Sequence, residues 1–520
     1  MPVAGYRLPI TSCRLPVDAL MQSRYENLGF GLDLIMLFSI SSACQFLTFS
    51  QNSSLMKPLT PSRLPASRSY SLSVLQSLCL SALLVLMSAS LPAQSDPYQV
   101  RRDRLITKTD KGLIIVVNNG GSDYVSSAGE NMNFYYLTGI TTLNATLVID
   151  GKSGKSTVYK PAGRYGPSAA APAGLEVKTP EDLAKDLPRL VSATPTIWIE
   201  MNQLKVLEQA GFGVSRLENI KSITPWIHDM RPVKDETEIG LIKKSAHINA
   251  LGLVEMMKAA EPGMNERELD LILDYTFKTL GSTGYSFSTQ AASGPNSTSV
   301  HYGANNRKTE AGDMMVFDIG AEYQYYTADI SRSFPISGKF TKEQKEIYTV
   351  VLNAQKAAIE KMKPGRSINE AYQTVTLELN KGLYALGLIT DSTQAWQDSF
   401  WMQHGWGHHI GLVVHDVSGP YVKGKPELLV PGMIYTMEPG LYFPEKYLAL
   451  GAARYLNVPE DQWKTFVEKV TPIFKKYINI GVRIEDDVLI TPEGNEVITS
   501  EVPKEVADIE ALMKMKSRFN

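Results

Sequence analysis

The sequence predicts an α+β protein in which a smaller α/β region, residues 96–230, precedes a larger region, residues 231–520, with two related halves. In the first region, short apolar runs alternate with helix-like segments, as in layered α/β folds. The second region repeats one order of motifs: two helices, then a strand that bears an acid. The composition, 43% hydrophobic and 20% charged, is ordinary for a globular protein, so both regions are expected to fold.

Net charge and cysteine use narrow the chemistry that the chain can support. The formal net charge is -2 at pH 7, so we expect neither a nucleic-acid partner nor a stable membrane partner. Cys13, Cys44 and Cys79 all precede residue 95. The remaining chain therefore cannot form a disulfide framework or a thiolate metal site, and any metal there must be bound by histidines and carboxylates.

Residues 1–95 are predicted to be an N-terminal extension that contains a secretory signal peptide. Residues 75–91 form an apolar run, preceded by Arg63 and Arg68 and followed by small residues. The run is short for a membrane-spanning helix, which needs about 20 residues. We expect translation to start at Met56 and the mature protein to be exported, either periplasmic or secreted. The alternative is an uncleaved membrane anchor.

The region 96–230 is predicted to contain buried strands and helices. Residues 113–117 and 145–149 are short apolar runs rich in β-branched residues. The segment 133–139 is rich in aromatic residues and ends on a glycine. A domain boundary is predicted at 231–234, just before a charged helix start at Asp235.

The region 231–520 contains a repeat of paired helices. In each half a long helix ends before a Pro-Gly pair, and a polar residue then caps a second helix with a glutamate three positions later. The two copies are 236–260 followed by the cap pair Asn265 and Glu268, and 342–362 followed by the cap pair Ser367 and Glu370.

Each helix pair leads to a strand with the pattern Gly-x5-acid-x-Gly. The acid is Asp318 in the first copy and Glu438 in the second. If the halves are related by a pseudo-twofold axis, these two acids occupy equivalent positions.

Four acids lie on apolar, strand-like runs, where an unpaired buried carboxylate is costly. They are Asp318, Asp329, Glu438 and Glu485. Asp329 follows Asp318 by eleven residues, a spacing that suits a hairpin presenting both acids at one point. One such acid alone would more often be a salt-bridge or turn residue. Four together favour a metal site.

Histidine usage supports a metal site. Four of the seven histidines, His404, His408, His409 and His415, fall within twelve residues, between glycines that allow close backbone approach. Carboxylates with one or two imidazoles suit divalent Mn, Fe, Co or Zn. Four acids would balance the charge of two such ions. Paired ions about 3.5–4 Å apart share a water of lowered pKa, which favours hydrolysis.

At these residues the sequence resembles the pita-bread metallopeptidases, which include methionine aminopeptidase, prolidase and Xaa-Pro aminopeptidase. The matching motifs are Asp-Ile-Gly, His-Gly-x-x-His, Glu-Pro-Gly and Arg-x-Glu-Asp-Asp. The resemblance implies two metal ions, with Mn expected and Co, Fe or Zn as alternatives. It implies that Asp329 and Glu485 bridge both ions. It also implies that Asp318 binds one ion, and that His408 and Glu438 bind the other.

The resemblance also implies roles around the metals. His301 and His415 resemble the histidines that contact substrate and stabilise the tetrahedral intermediate, and His404 resembles a further pocket histidine. Arg483 and Tyr442 resemble groups that support the metal ligands.

The resemblance covers 231–520 closely and 96–230 more weakly. It implies a C-terminal pita-bread domain with a pseudo-twofold repeat, after a smaller N-terminal domain of the creatinase and prolidase type. Methionine aminopeptidases lack that domain, which disfavours them, and of the two remaining subfamilies we expect an Xaa-Pro aminopeptidase rather than a prolidase. Such an enzyme releases the first residue of peptides with proline second, by a metal-bridging hydroxide. A homo-oligomer, dimer or tetramer, is also expected.

Three alternatives stay open. Prolidase, an Xaa-Pro dipeptidase, shares the metal ligands and the N-terminal domain. A metal-free creatinase-like enzyme or a non-catalytic binding module would lack ligand residues, and none is missing here. The form Gly-Trp-Gly-His-His-Ile-Gly departs from the usual histidine motif, so the resemblance leaves the fine substrate choice open.

Overall fold

The computed structural model describes residues 96–119, 129–162, 172–209, 218–419, 426–450 and 458–519. These residues belong to one compact unit. The predicted signal segment, the start at Met56 and the three cysteines lie outside the described residues. Within the described ranges, no helix combines the length and the apolarity that crossing a membrane requires.

A six-stranded mixed sheet forms the centre of the first region. Its strands are β1 (Leu113–Asn118), β2 (Ala145–Asp150), β3 (Lys155–Tyr159), β4 (Leu175–Lys178), β5 (Ile197–Ile199) and β6 (Ile220–Ser222). Their order across the sheet is β4-β3-β2-β1-β5-β6. β1 pairs antiparallel with β2 and parallel with β5. The strands predicted over 113–117 and 145–149 are confirmed, each one residue longer than predicted.

Five helices accompany this sheet in the described part of the region. They are α1 (Pro97–Lys108), α2 (Met132–Thr138), α3 (Pro180–Ala193), α4 (Lys205–Gln209) and α5 (Thr224–Met230). The aromatic segment is α2: Asn131 caps its start, and Gly139 ends it with a φ of 65°. Glycine adopts this left-handed conformation without the strain that a Cβ would cause.

Side chains on the two faces of β1 belong to different hydrophobic clusters. Ile115 clusters with Val191 of α3, within the first region. Ile114 instead clusters with Tyr326 and Ile434, which lie in the second region. The sheet is therefore packed against the larger region, and the domain boundary at 231–234 stays a prediction.

Two long helix pairs appear in the second region. They are α6 (Glu236–Ala259) with α7 (Glu266–Thr279), and α8 (Lys342–Ile359) with α9 (Ile368–Leu386). Shorter helices follow as α10 (Ala395–Trp401), α11 (Glu460–Phe474) and α12 (Val506–Leu512).

The helix caps of the two pairs agree only in part with the repeat. Asn265 and Glu268 form the predicted reciprocal capping box at α7. At α9 Ser367 caps the helix, but the predicted return bond from Glu370 was wrong. Glu370 instead accepts a hydrogen bond from Arg366 Nη1 at 3.0 Å, because a charged donor is available one turn before it.

Short strands carry the site. In the first half they are β7 (Gly284–Tyr285), β8 (Gln290–Ser293), β9 (Met314–Ile319), β10 (Ala321–Tyr323), β11 (Tyr326–Thr327) and β12 (Ile330–Pro335). In the second half they are β13 (Ile434–Met437), β14 (Gly440–Tyr442), β15 (Gly481–Arg483), β16 (Asp486–Thr491) and β17 (Gly494–Val497). The sheets have the orders β12-β9-β8, β11-β10-β7, β13-β16-β17 and β14-β15.

The repeat extends to backbone detail. Gly312 and Gly432, which precede the equivalent strands β9 and β13, have φ values of 97° and 92°. Both halves therefore enter the strand through the same left-handed turn, which favours glycine.

Candidate active site

One cavity collects the residues that the sequence singles out. Its volume is about 530 Å³. All nine predicted site residues line it: His301, Asp318, Asp329, His404, His408, His415, Glu438, Arg483 and Glu485.

The first pair of acids is placed by antiparallel strands. β9 pairs with β12, and in this register Asp318 lies opposite Ser331. Asp329 immediately precedes β12, and its backbone N–H donates to Asp487 Oδ2 at 3.0 Å. The hairpin predicted from the eleven-residue spacing is present, with the short strands β10 and β11 between its two arms.

The histidine loop is held against β13. The backbone N–H of His408 donates to Thr436 Oγ1 at 3.0 Å, and the Thr436 N–H donates to the His408 carbonyl at 2.9 Å. The Glu438 N–H donates to the Trp406 carbonyl at 3.0 Å. A Cβ on Gly407 would collide with the Thr436 carbonyl, so the glycine lets the loop approach the strand.

Four of the five predicted metal ligands face one another. His408 Nε2 is 3.6 Å from Asp329 Oδ2 and 3.7 Å from Glu438 Oε1. Asp329, His408 and Glu485 each offer one ligand atom, and these atoms lie within 4.8 Å of one another. This spacing lets a single ion contact side chains from both halves.

Asp318 lines the same cavity but is more fully hydrogen-bonded. Its carboxylate accepts bonds from Gln290 Nε2 at 2.6 Å, Ser331 Oγ at 2.9 Å and Arg483 Nη2 at 2.7 Å. These three donors hold the orientation of the carboxylate.

Burial and mutual repulsion raise the pKa values of three acids in the cavity. Burial raises the pKa of Asp329 and of Glu485 well above the ordinary range, and neighbouring carboxylates raise both further. Burial likewise raises the pKa of Glu438 to about 8, although the charge of Arg483 opposes the shift. These acids cannot all be ionised together unless cations compensate their charge.

His408 is neutral, as a histidine that binds a metal ion must be. Burial lowers its pKa to about 4, so the imidazole is neutral at pH 7. Its Nδ1 lies 3.1 Å from the carbonyl oxygen of His409. A proton on Nδ1 would satisfy that carbonyl and leave the lone pair of Nε2 directed at the acids.

The donor set fits divalent cations. Among the described residues, the buried oxygens Asp329 Oδ1 and Glu485 Oε1 have no hydrogen-bond partner, and a buried carboxylate without a partner is costly. Carboxylates with a neutral imidazole are the ligands that borderline divalent ions prefer. A cation among these groups would satisfy the free oxygens and relieve the repulsion.

A second group of contacts links His404 to the acids. His404 Nε2 lies 2.8 Å from the Tyr442 hydroxyl, which also accepts a bond from Arg483 Nη1 at 3.0 Å. Burial lowers the pKa of His404 to about 4, so this histidine is also neutral. A Cβ on Gly440 would lie 2.6 Å from the Tyr442 hydroxyl, so a glycine is required beside this contact.

The remaining histidines divide between the cavity and the core. The rings of His408 and His415 have centroids 4.1 Å apart, and burial lowers the pKa of His415. His301 lies on an exposed loop at the cavity. His409 is buried away from the cavity, where its Nε2 lies 3.1 Å from Glu427 Oε1.

Sequence reasoning missed Ser331 and Gln290. Ser331 Oγ bridges Asp318 and Glu485, at 2.9 and 2.8 Å. Its position two residues after Asp329 puts it on the same face of the strand, which was a usable signal. Gln290 lies opposite Asp318 through the pairing of β8 with β9. That long-range register left no signal in the sequence.

Comparisons with known proteins agree with this geometry. The profile of metallopeptidase family M24 matches residues 240–492, which contain all nine predicted site residues. An Xaa-Pro aminopeptidase of Escherichia coli is 30% identical over 455 residues, covering 80% of this chain and 97% of that protein. A human Xaa-Pro dipeptidase is 31% identical over 476 residues, covering 80% and 93%. The solved structure of proline aminopeptidase P II from Yersinia pestis matches with a TM-score of 0.67 and 28% identity, covering 80% of this chain and 98% of that one.

Proposed function

The chain belongs to metallopeptidase family M24, and we propose that it is an Xaa-Pro aminopeptidase, which releases the first residue of peptides with proline second. The observation that carries the proposal is the buried set of unpartnered carboxylate oxygens and a neutral His408 around one cavity. The likeness to the Escherichia coli Xaa-Pro aminopeptidase over almost its whole length supports the substrate class.

We propose that two divalent ions are bound by the five predicted ligands: Asp318, Asp329, His408, Glu438 and Glu485. When bound, such a pair supplies a water of lowered pKa and polarises the carbonyl of the scissile bond. Manganese is our first choice because four of the five ligands are carboxylates, and Mn²⁺ prefers oxygen donors. Co, Fe and Zn are the alternatives that metal analysis would distinguish.

The side chains around the metal ligands have separate tasks. Arg483 fixes the Asp318 carboxylate and, through Tyr442, the ring of His404. His415 lies beside His408 with a lowered pKa, so it is a neutral donor. We assign His415 and His301 to the substrate, where an imidazole N–H can bond the carbonyl oxygen as it gains negative charge.

Prolidase is the second candidate, and the likeness to the human Xaa-Pro dipeptidase favours it. A prolidase must enclose both ends of a dipeptide, whereas an aminopeptidase must leave the C-terminal side open. The test measures release of the first residue by the Mn²⁺-loaded protein from Xaa-Pro, Xaa-Pro-Xaa and Xaa-Ala-Xaa peptides of matched sequence. Faster cleavage of the proline tripeptide supports the aminopeptidase. Cleavage confined to the dipeptide would identify a prolidase.

We further propose that the protein is exported after cleavage of its signal segment, because the apolar run 75–91 is preceded by Arg63 and Arg68 and followed by small residues, as in such segments. N-terminal sequencing of protein from the native host should find a mature start between about residues 88 and 96. A start at residue 1 with the apolar run retained would contradict this proposal.

We also propose a homo-oligomer. Leu271 and Tyr275 of α7 and Leu377 and Tyr384 of α9 are large apolar side chains that are more than half exposed. Leu271 and Tyr275 lie one turn apart on α7, and neighbouring exposed apolar residues often mark protein interfaces. Analytical ultracentrifugation should find a dimer or tetramer, and a monomer at micromolar concentration would contradict this.

A further inference from the structure

We propose that Glu266 is a positioning residue that anchors the loop 293–307 and thereby holds His301 at the cavity. The role of His301 toward substrate rests on the proposed function, but the anchoring itself does not. Glu266 is the first residue of α7 and is fully buried. Glu266 is not one of the described residues that line the cavity, so it would act on the site through the loop.

One carboxylate closes both ends of the loop. Glu266 Oε1 accepts bonds from the Ser293 N–H at 2.8 Å, the Ser293 hydroxyl at 2.6 Å and Asn296 Nδ2 at 3.1 Å. Glu266 Oε2 accepts bonds from the Arg307 N–H at 2.8 Å and the Tyr302 hydroxyl at 2.9 Å. Five donors from four loop residues therefore converge on one side chain.

The bond from Tyr302 connects this anchor directly to the cavity. Tyr302 follows His301 in the chain, and both line the cavity. On the other side of His301, the Val300 carbonyl accepts a bond from Arg483 Nη1 at 3.2 Å. The residues on both sides of His301 are thus fixed, one to Glu266 and the other to the Arg483 that holds Asp318.

Only a carboxylate can satisfy these five donors. A glutamine would place an NH₂ group at either Oε1 or Oε2, where donors already point. If it faced Oε2, the Arg307 N–H would lose its acceptor. If it faced Oε1, the Ser293 N–H and Asn296 Nδ2 would lose theirs. Glu266→Gln therefore keeps the side-chain shape and breaks the anchor at one end of the loop.

The experiment combines kinetics with hydrogen exchange on the Mn²⁺-loaded full chain, using an Xaa-Pro-Xaa peptide. Glu266→Gln should lower kcat by about 10- to 100-fold, as expected when a catalytic group is misplaced by about 1 Å. It should leave KM within a few-fold and the bound metal unchanged. In a His301→Ala background the same substitution should have little further effect on kcat, because the two residues act as a unit. Amide exchange of 293–307 should be faster in Glu266→Gln.

Glu268→Gln is the matched control, since Glu268 lies in the same first turn of α7 but its carboxylate accepts a bond from the Asn265 N–H at the helix cap. It should retain the parental kcat and the parental amide-exchange rate of the loop.

If Glu266→Gln does not fold, Tyr302→Phe removes one of the five bonds and should give a smaller loss of kcat. Unchanged exchange of 293–307 in the folded variant would overturn the proposal. So would an equal loss of kcat with and without His301. A parent inactive on Xaa-Pro peptides would refute the proposed function, while the exchange measurement would still decide the anchoring.

Discussion

At the scale of single residues, the sequence pointed to the proposed metal ligands because carboxylates are costly inside apolar strands. Asp318, Asp329, Glu438 and Glu485 were recognisable because four such acids occur together with a cluster of histidines. Ser331 and Glu266 were not, because a buried serine and a first-turn glutamate are ordinary in isolation. Their importance arises from partners far away in the chain, such as the Glu485 that bonds Ser331.

Replacing His415 with alanine should lower kcat by about 10²–10³-fold, the usual loss when one donor to a developing oxyanion is removed. The metal content should not change, because His415 is not one of the five proposed ligands. Kinetics on an Xaa-Pro tripeptide and metal analysis of the same preparation check both statements. His247→Ala is the control, since His247 bonds Glu501 on the surface. Parental kcat in His415→Ala, or loss of metal, would contradict the assignment.

The raised acid pKa values predict how the stability of the metal-free protein depends on pH. Burial raises the pKa of Glu438 to about 8, so between about pH 6.5 and 8 the folded state holds a proton that the unfolded chain has released. Stability should therefore fall as pH rises through this window. The lowered pKa of His408 acts in the opposite direction, but only below its unfolded value of about 6.5.

This pH dependence can be measured as the Tm of metal-stripped protein at pH 6.5 and pH 8, with and without Mn²⁺. The Tm of the metal-free protein should be lower at pH 8. Added Mn²⁺ should raise Tm more at pH 8 than at pH 6.5, because binding must displace the proton at the lower pH. A metal-free Tm that rises between these pH values would show that the acids are not protonated in the folded state.

At the scale of secondary-structure elements, the local chemistry of strands and caps was predictable. The capping box of α7 formed as the sequence indicated, with Asn265 and Glu268 bonding each other's backbone. The equivalent box of α9 failed because Arg366 competes for Glu370, and a rotamer choice of that kind is not set by sequence spacing. The two halves thus share one fold while differing in how firmly each second helix is capped.

This difference predicts unequal costs for two cap substitutions. Asn265→Ala should destabilise the protein by about 1–2 kcal/mol, because it removes the cap and a bond from Asn265 Nδ2 to the Asn306 carbonyl. Ser367→Ala should cost only about 0.5–1 kcal/mol, since it removes the cap alone. Urea unfolding of both variants at one metal concentration provides the comparison. A larger loss in the free energy of unfolding for Ser367→Ala than for Asn265→Ala would contradict this interpretation of the two caps.

At the scale of the whole molecule, the predicted α+β class with a pita-bread C-terminal region is confirmed by the strand and helix order and by the aminopeptidase P structure of Yersinia pestis. The sequence did not indicate that one side of β1 would join a core with Tyr326 and Ile434. A long apolar strand predicts burial but not its partner, because the pairing of distant segments depends on the complete fold.

We propose that two divalent ions, held by residues from both halves, make this cavity a peptidase site. The most direct test titrates metal-stripped protein with Mn²⁺ while following release of the first residue from an Xaa-Pro-Xaa peptide and the metal bound per chain. We expect no turnover without metal and maximal turnover near two ions per chain. In Glu485→Ala, metal binding and turnover should both be lost, because the proposed bridging ligand is gone. Turnover by the stripped protein, or parental turnover in Glu485→Ala, would contradict the account.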